Sequence, residues 1–296
     1  MYNFNTLYEP ATIQEAVAMK AAHPEALLLA GGSDILIKIR EGKLAGCDLI
    51  SIYGLDELRG ICIEEDGSIL IRPLTSFTEV AEHPIIKEHL PCLAEAVNQI
   101  GGPQIRNIGT IGGNICNGVT SADSATTLKI YDATLEIVST RGTRTLPYLD
   151  FNLGPGRVDL AADELLTGIR IAKGSYENTF GAYTKYAKRK AMDIATLGCA
   201  VNVTLSKDKQ KVERLRIAFG VAAPIPIRSP QAEAAAQGAA VDATLLDAVA
   251  RAALGDVSPR TSWRASKEFR LQLIKELARR TTKTAIERAK GEIDGE

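Results

Sequence analysis

The chain has 296 residues, of which 45% are hydrophobic and 24% charged, and this composition is typical of a globular protein of about two domains. Its 35 Lys and Arg against 36 Asp and Glu leave a formal net charge of −1, which argues against nucleic acid as the main partner. No apolar run approaches the roughly 20 residues of a membrane span and the N-terminal residues lack a signal-peptide pattern, so we expect a cytoplasmic protein.

The first part of the chain predicts a helix, a strand, a turn and a second strand. A capping box at residues 12–15 begins the helix. A buried strand at 26–30 then runs directly into the turn Gly31-Gly32-Ser33-Asp34, and short apolar runs follow at 35–39 and 48–52. The run after the turn is predicted as a strand, because this spacing is that of an α/β unit.

The next segment predicts a hairpin and a helix. Residues 61–64 and 68–72 are short apolar runs joined through Glu65-Asp66-Gly67, which is typical of a hairpin. A second capping box lies at 76–79, and residues 91–100 place apolar side chains on one face of a helix.

Glycines interrupt the pattern after this helix. The chain breaks at 101–103, passes through a loop at 109–118 and resumes as strands near 127–139. The apolar run 163–171 then has the pattern of the strand that closes an α+β region.

A polar stretch at 173–178 predicts a domain boundary. We expect a first domain at 1–176, with subdomains at about 1–58 and 59–176, and a second domain at 177–296.

The second domain predicts three strands followed by helices. The β-like runs lie at 180–186, 197–205 and 215–221, and Ser229 with Pro230 forms the N-cap and first-turn pair that opens a helical tail.

The end of this tail is strongly basic. Residues 260–290 contain ten Lys or Arg against three Glu. Such a run is either the solvated face of a helix or a docking face for an acidic partner subunit, and the sequence leaves both open.

Cysteine and histidine spacing excludes several kinds of site. The five cysteines are scattered, with the closest pair 15 residues apart, and the three histidines form no ligand pattern. Without a CxxC pair, a sequence-local zinc or iron–sulfur site is not expected, and an odd number argues against a disulfide framework. Redox or hydrolytic chemistry would therefore come from a bound organic cofactor or from a partner.

Two glycine-rich loops carry the chemical signal. The first, residues 30–34, places a Gly pair, a hydroxyl and a carboxylate directly after a buried strand, and it is either a simple turn or an anion-binding nest. The second, residues 110–118 followed by 121–125, gathers glycines, hydroxyls, amides and one acid, and it is either a long surface loop or a phosphate and ribose cradle. This stretch is too small and polar to be core. Since neither GxGxxG nor GxxxxGK[ST] occurs, the pair suggests a non-Rossmann dinucleotide site.

Six segments in a fixed order resemble one known family. They are AGGSD at 30–34, GPQIRNIGTIGGNICN at 102–117, SADSA at 121–125, KYAKRKAMDIATLGCAVNV at 185–203, GVAAPIPIR at 220–228 and SWRASKEFR at 262–270. The chain is similar nearly end to end to the FAD-binding (medium) subunits of molybdenum hydroxylases, and most similar to the bacterial xanthine dehydrogenase FAD-binding subunits. The resemblance implies an α+β fold: a two-part FAD-binding domain of the vanillyl-alcohol-oxidase (PCMH) type, then a smaller α+β domain with a three-stranded antiparallel sheet plus helices.

The resemblance also implies which residues would contact the cofactor. The FAD diphosphate would be lined by Leu28, Leu29, Ala30, Gly31, Gly32, Ser33 and Asp34. A second cradle would consist of Gly109, Thr110, Ile111, Gly112, Gly113 and Asn114. The remaining implied contacts are Ile100, Asp123, Leu166 beside the isoalloxazine ring, and Lys185 near the flavin. Without a cofactor, Leu28 and Ile100 would be ordinary core residues, Asp123 would cap a turn or helix, and Lys185 would be a surface lysine. No acid–base catalytic residue and no metal ligand are implied.

The implied activity is electron transfer within a hetero-oligomer. Noncovalent FAD would take electrons from the iron–sulfur clusters of a 2Fe–2S subunit and pass them as a hydride to NAD+, while a molybdopterin subunit would hydroxylate the substrate. Some relatives hold an extra iron–sulfur cluster in this subunit, but this chain lacks the cysteine cluster that would bind it. One alternative is a subunit of another hydroxylase that uses ferredoxin, a quinone or oxygen as acceptor. The other is a nucleotide-binding or scaffold protein without redox turnover.

Overall fold

The computed structural model describes residues 2–292 and begins with a three-stranded parallel sheet. Its elements are β1 (Phe4–Tyr8), α1 (Ile13–Ala22), β2 (Leu27–Leu29), α2 (Ile35–Arg40) and β3 (Cys47–Ser51). The strand order is β1-β3-β2. The Thr12 hydroxyl caps α1 by accepting from the amide of Glu15 at 3.1 Å, as the sequence predicts, although the Glu15 carboxylate reaches back to Ala11 rather than to Thr12.

The run after the glycine turn is a helix, and its prediction as a strand is wrong. Gly32 has a φ of +72°, which turns the chain so that the amide of Leu36 bonds the Gly32 carbonyl at 3.1 Å. This bond starts α2, whose Ile39 is buried while Ile37 stays exposed. An apolar run of five residues does not distinguish a short helix from a strand.

The middle of the chain forms a five-stranded antiparallel sheet in the order β4-β5-β10-β6-β7, with helices packed against it. The elements up to the sixth strand are β4 (Ile61–Ile63), β5 (Ile69–Ile71), α3 (Phe77–Glu82), α4 (Pro84–His89), α5 (Pro91–Asn98), α6 (Pro103–Ile108), α7 (Ile111–Cys116), α8 (Asp123–Ile130) and β6 (Thr134–Ser139). They continue as β7 (Gly142–Pro147), α9 (Tyr148–Phe151), β8 (Asn152–Gly154), β9 (Arg157–Val158), β10 (Leu165–Ile171) and α10 (Lys173–Tyr176). The predicted hairpin is β4 and β5, and both hydrogen bonds of the predicted capping box at Ser76 and Glu79 are present. β10 closes this region in sequence but lies at the centre of the sheet, between β5 and β6.

Two predictions in this region are wrong. The stretch 109–118 is not a loop, because residues 111–116 form α7, and its Ile111 and Ile115 are core residues although the stretch was predicted to be too polar for the core. The strand predicted near 127–139 begins only at β6, because the preceding residues form α8, in which every residue is buried. The Ser, Ala and Thr side chains of α8 are small enough to let a helix pack closely on all sides.

The C-terminal part is a four-stranded antiparallel sheet covered by helices. Its elements are β11 (Phe180–Tyr186), β12 (Leu197–Leu205), β13 (Val212–Gly220), β14 (Ile227–Arg228), α11 (Pro230–Ala236), α12 (Ala243–Ala252) and α13 (Lys267–Lys290). The three predicted strands are confirmed, and the two-residue β14 extends the sheet. Ser229 precedes α11 as predicted, but its hydroxyl donates to Asp256 at 2.6 Å instead of capping the helix.

Helices α5 and α8 join these layers. α8 packs on β12 and β13, and α5 packs on β11. Arg288 of α13 lies 2.6 Å from the Glu95 carboxylate of α5 and also donates to the carbonyl of Gly181 in β11. Within residues 2–292, no helix has both the length and the apolar character needed to cross a membrane.

Replacement of Arg288 by Met should destabilise the protein by about 2–4 kcal/mol at neutral pH, because it leaves the largely buried Glu95 carboxylate without its cation. Burial already raises the pKa of Glu95, so the loss should shrink as the pH falls and this carboxyl takes up a proton. Urea unfolding of the two proteins at several pH values measures the effect. Arg279→Met is the matched control, since the Arg279 pair with Asp247 is half-exposed and should contribute less than about 1 kcal/mol. Equal losses in both variants would contradict this account.

Candidate functional site

A cavity of about 390 Å³ opens where the end of β2, the start of α7 and the start of β10 meet. Eleven of the residues implied as cofactor contacts line it: Leu28, Ala30, Gly31, Gly32, Ser33, Asp34, Thr110, Gly112, Gly113, Asn114 and Leu166. The two glycine-rich segments, which are some 80 residues apart in sequence, therefore border one space.

The turn at 31–34 lines this cavity and has unused hydrogen-bond donors. None of its four backbone amides donates a hydrogen bond within the part of the chain that the structure describes. Gly32 is the one glycine of the two cradle segments with a positive φ. A run of free N–H groups around a left-handed residue is the geometry of an anion-binding nest, which fits a diphosphate.

The glycines beside this turn serve close backbone packing. A Cβ on Gly31 would lie 1.7 Å from the carbonyl oxygen of Ile108, and a Cβ on Gly112 would lie 2.7 Å from the carbonyl oxygen of Pro73. Neither glycine has a positive φ. A side chain at either position would therefore push two backbone segments apart before it obstructed any ligand.

The amides of residues 111–114 in the second segment are already used. Those of Ile111 and Gly112 donate to the carbonyls of Thr75 and Pro73 at 3.0 and 2.9 Å. Those of Gly113 and Asn114 donate to the hydroxyl and the carbonyl of Thr110 at 3.2 and 3.0 Å. The second segment can therefore offer a ligand the side chains of Thr110 and Asn114 rather than a row of free amides.

A smaller cavity of about 160 Å³ collects the other implied contacts. It is lined by Ile100, Asn114, Asp123 and Lys185, together with Gly101, Val119, Ser121, Ala122, Asp193 and Ile194. Asn114 lines both cavities, and its Oδ1 accepts a hydrogen bond from the Ser124 hydroxyl at 2.7 Å. Leu166 lies in the large cavity, apart from Lys185. Three implied contacts, Leu29, Gly109 and Ile111, line neither cavity.

A buried ion pair forms the polar wall of the smaller cavity. The Lys185 ammonium lies 2.8 Å from Oδ2 of Asp123, and both side chains are less than a tenth exposed. Lys185 also donates to the Gln99 carbonyl at 3.0 Å, and the Tyr183 hydroxyl donates to Oδ1 of Asp123 at 2.5 Å. Burial raises the pKa of Asp123, whereas the bonds from Lys185 and Tyr183 oppose the shift. Lys185 is thus not a surface lysine, and Asp123 caps neither α8 nor a turn.

Sequence reasoning missed Tyr183. It lies two residues before Lys185 on β11, so the alternation of a strand places both side chains on one face. Room for its hydroxyl comes from Gly198 on the neighbouring strand, where a Cβ would lie 2.8 Å from that oxygen. The period-two pattern around Lys185 was the available signal, but the partner that gives Tyr183 its role lies 60 residues away.

Glu164 and Lys20 are further cavity residues whose side chains are not among the implied contacts. The Arg144 guanidinium makes two hydrogen bonds of 2.8 Å to the Glu164 carboxylate, which also accepts from the amide of Ala161. These bonds fix the residues just before β10 in the wall of the cavity. Lys20 donates to the carbonyls of Pro24 and Ala26 at 2.7 and 2.6 Å and so fixes the start of β2.

Comparison with known proteins identifies the chain. The model of the FAD binding domain in molybdopterin dehydrogenase matches residues 2–173, and that of the CO dehydrogenase flavoprotein C-terminal domain matches residues 182–285.

The chain belongs to the FAD-binding subunits of the molybdopterin dehydrogenases.

Individual relatives cover nearly the whole chain. The xanthine dehydrogenase FAD-binding subunit of Escherichia coli O157:H7 is 46% identical over 293 residues, which are 99% of this chain and 100% of that protein. The carbon monoxide dehydrogenase medium chain of Hydrogenophaga pseudoflava is 32% identical, over 94% of this chain and 96% of its own length. A solved structure of carbon monoxide dehydrogenase from the same organism superposes with a TM-score of 0.91 and covers 96% of this chain and 98% of its own. Three predictions are thereby confirmed: the family that the motifs resemble, the fold class, and FAD as the cofactor.

The Glu164–Arg144 contact should contribute to the free energy of unfolding in a way that depends on pH. The hydrogen bonds from Arg144 lower the pKa of Glu164 below its ordinary value of 4.5, so this contribution is present above about pH 4.5 and is lost as the pH falls through the depressed pKa. Glu164→Gln should cost on the order of 1 kcal/mol at pH 7 and almost nothing near pH 3, because Arg144 is partly exposed.

Chemical denaturation of both proteins across this pH range tests the expectation. Glu177→Gln, which removes a half-exposed pair with Lys173, is the control and should change stability little at any pH. A Glu164→Gln deficit that persists unchanged at low pH would show that its cause is packing rather than charge.

Proposed function

We propose that this chain is the FAD-binding electron-transfer subunit of a multi-subunit, xanthine dehydrogenase-like molybdenum hydroxylase and that it delivers electrons to NAD+. The observation that carries the proposal is the pair of adjoining cavities: one bordered by four unused backbone amides, the other walled by the Asp123–Lys185 pair, with Asn114 shared between them. An elongated dinucleotide with an anionic centre and a polar ring fits such a site.

The large cavity would hold the nucleotide part of FAD, with the diphosphate against residues 31–34. The smaller cavity would hold the ring, with Ile100 and Ile194 as apolar walls and Lys185 near its polar edge. Cys116 lines the large cavity, but burial raises the pKa of its thiol to about 12, which disfavours the nucleophilic thiolate and supports noncovalent binding.

When bound, FAD would supply the redox chemistry: it would collect two electrons and return them to NAD+ with one proton as a hydride. The residues of this chain would bind and orient it. The 31–34 amides would stabilise the negative charge of the phosphates through backbone hydrogen bonds. Lys185, which is held by Asp123 and the Gln99 carbonyl, would keep its ammonium at a fixed place beside the ring.

We propose that the electrons come from a 2Fe–2S subunit and that substrate hydroxylation takes place on a molybdopterin subunit. Relatives called a FAD-binding subunit and a medium chain support an assembly of several chains. We also propose a domain boundary near residue 176, which lies between the segments matched by the two family models. The expected cytoplasmic location stays a prediction.

Gly32→Ala should reduce the FAD content of the purified protein by more than half, because an Ala side chain disfavours the φ of +72° on which the shape of this turn depends. Gly42→Ala is the matched control: Gly42 has a φ of +78° in a turn that does not line the cavity, so it carries similar strain without touching the site. The visible flavin spectrum after reconstitution with FAD, and release of the colour by acid, give the stoichiometry. Parent protein that takes up no FAD would contradict the proposed function, and full FAD content in Gly32→Ala would remove the amide nest from it.

Lys185→Met should lower the two-electron potential of the bound flavin by about 20 mV or more. Without this positive charge, the reduced and anionic ring loses stabilisation on the order of 1 kcal/mol in a partly solvated site. For a two-electron couple, roughly 30 mV corresponds to 1.4 kcal/mol. Spectroelectrochemical titration measures the shift. Lys38→Met, which removes a partly exposed lysine paired with Asp34 at the turn, should leave the potential within a few millivolts of the parent. An unchanged potential in Lys185→Met with intact FAD content would place this ammonium away from the ring.

A further inference from the structure

Two basic segments outside the FAD site meet at one exposed ring. Trp263, in the turn before α13, has a side chain that is 79% exposed. The Lys188 ammonium lies 4.9 Å from the centre of its ring and the Arg264 guanidinium 4.1 Å. Close to these residues in sequence, Tyr186 and Phe269 make an edge-on aromatic contact at 5.8 Å, which joins the end of β11 to α13.

The basic side chains around Trp263 have no acidic partner among the residues that the structure describes. Within residues 2–292, no carboxylate lies within 4.0 Å of the charged nitrogens of Lys188, Lys190, Arg264 or Lys267. Four basic residues farther along α13 are different, because each of these four has an acidic neighbour: Arg279 pairs with Asp247, Arg280 with Glu276, Lys283 with Glu287 and Arg288 with Glu95. The cations around Trp263 are therefore unpaired, whereas four of the basic residues farther along the helix are neutralised.

This patch is connected to the smaller cavity by a short stretch of chain. Lys185 lines that cavity, the chain then leaves it and passes Trp263 at Lys188, and it returns to the cavity at Asp193 and Ile194. Three residues of chain span at most about 11 Å, so the Cα of Lys188 lies within that distance of the Cα of Lys185. A molecule that reacts at the ring in the smaller cavity can thus extend onto Trp263.

We propose that Trp263, Lys188 and Arg264 form the binding site for the adenosine diphosphate half of NAD+; this inference rests on the proposed function. The adenine stacks on the exposed indole, and the two cations hold the diphosphate. Arg264 is half-buried, and the contact of its guanidinium with the indole holds this cation beside the ring. Lys188 is exposed on a flexible stem and can move from the ring face to a phosphate as the base enters.

The choice of a dinucleotide follows from the chemistry of the patch. A flat aromatic ring flanked by unpaired cations matches a planar base joined to a diphosphate, since both stacking and charge are satisfied by one small ligand. The same ligand carries its nicotinamide on a tether short enough to return to the adjoining cavity, where the hydride would be transferred. An acidic protein could pair with the cations, but its binding would not explain why the patch lies close to the smaller cavity.

Trp263 is the single tryptophan of the chain, so its fluorescence reports on this site alone. Titration of the FAD-loaded chain with NAD+ and with ADP-ribose should quench this emission, because both carry the adenosine diphosphate half. Nicotinamide mononucleotide, which lacks that half, should not. Absence of quenching by both ADP-ribose and NAD+ would overturn the inference.

Kinetics of the complete complex supply a second test. Trp263→Ala should raise the KM for NAD+ by at least about fivefold, the effect expected for loss of one base–aromatic stack, while turnover with an artificial dye acceptor stays unchanged. Trp263→Phe should restore most of the affinity, and Lys188→Met should weaken it. Lys207→Met removes an exposed, unpaired lysine from the distant β12–β13 connection and should leave the KM unchanged.

The outcomes distinguish a failure of the adenosine site from a failure of the proposed function. An unchanged KM in Trp263→Ala, with FAD bound and NAD+ still reduced, overturns the adenosine site and leaves the proposed function intact. A complex that reduces the dye but not NAD+ overturns the proposed acceptor and the adenosine site together. Loss of partner subunits from Trp263→Ala on size-exclusion chromatography would show instead that the patch binds protein.

Discussion

A buried ion pair between α8 and β11 is the interaction on which the site depends. The carboxylate of Asp123 and the ammonium of Lys185 come from segments 62 residues apart, and together they close the smaller cavity. Removing two charges from water is expensive, and the pair is tolerated because each remaining polar atom has a partner: Tyr183 serves the carboxylate and the Gln99 carbonyl serves the ammonium. The arrangement fixes a charged edge at a defined place, which a solvated lysine could not do.

Glycines perform two different tasks around the larger cavity, and the structure separates them. Gly32 is required for its backbone conformation, whereas Gly31 and Gly112 are required because a side chain would collide with the Ile108 and Pro73 carbonyls. The first task creates donors for a ligand, and the second brings distant segments close enough to share one cavity. A glycine-rich motif is therefore not evidence that every one of its glycines meets the cofactor.

Much of the fold could be predicted from the sequence where the local signal was strong. The β4–β5 hairpin, the capping box at Ser76 and strands β11 and β12 follow from turn residues, caps and alternation. The helices α2, α7 and α8 could not be predicted, because short apolar or small-residue runs have no distinct period, and their state is set by what packs on them. The same limit applies to the candidate site. The motifs pointed to the two glycine-rich segments that border the cavity. The use of the second segment's amides by Thr75, Pro73 and Thr110 depends on contacts that only the folded chain shows.

The four uncommitted amides at residues 31–34 have a consequence for the life of the subunit in the cell. A cofactor that binds the native state but not the unfolded chain adds to the free energy of unfolding in proportion to the logarithm of its concentration over its Kd. In the proposed site the flavin cofactor would also bind donors that the protein leaves open, so the apoprotein would lack interactions that the holoprotein has. Newly made chains without flavin would then be the population most open to proteases, and the steady-state amount of the subunit would follow the flavin supply as well as the rate of its synthesis.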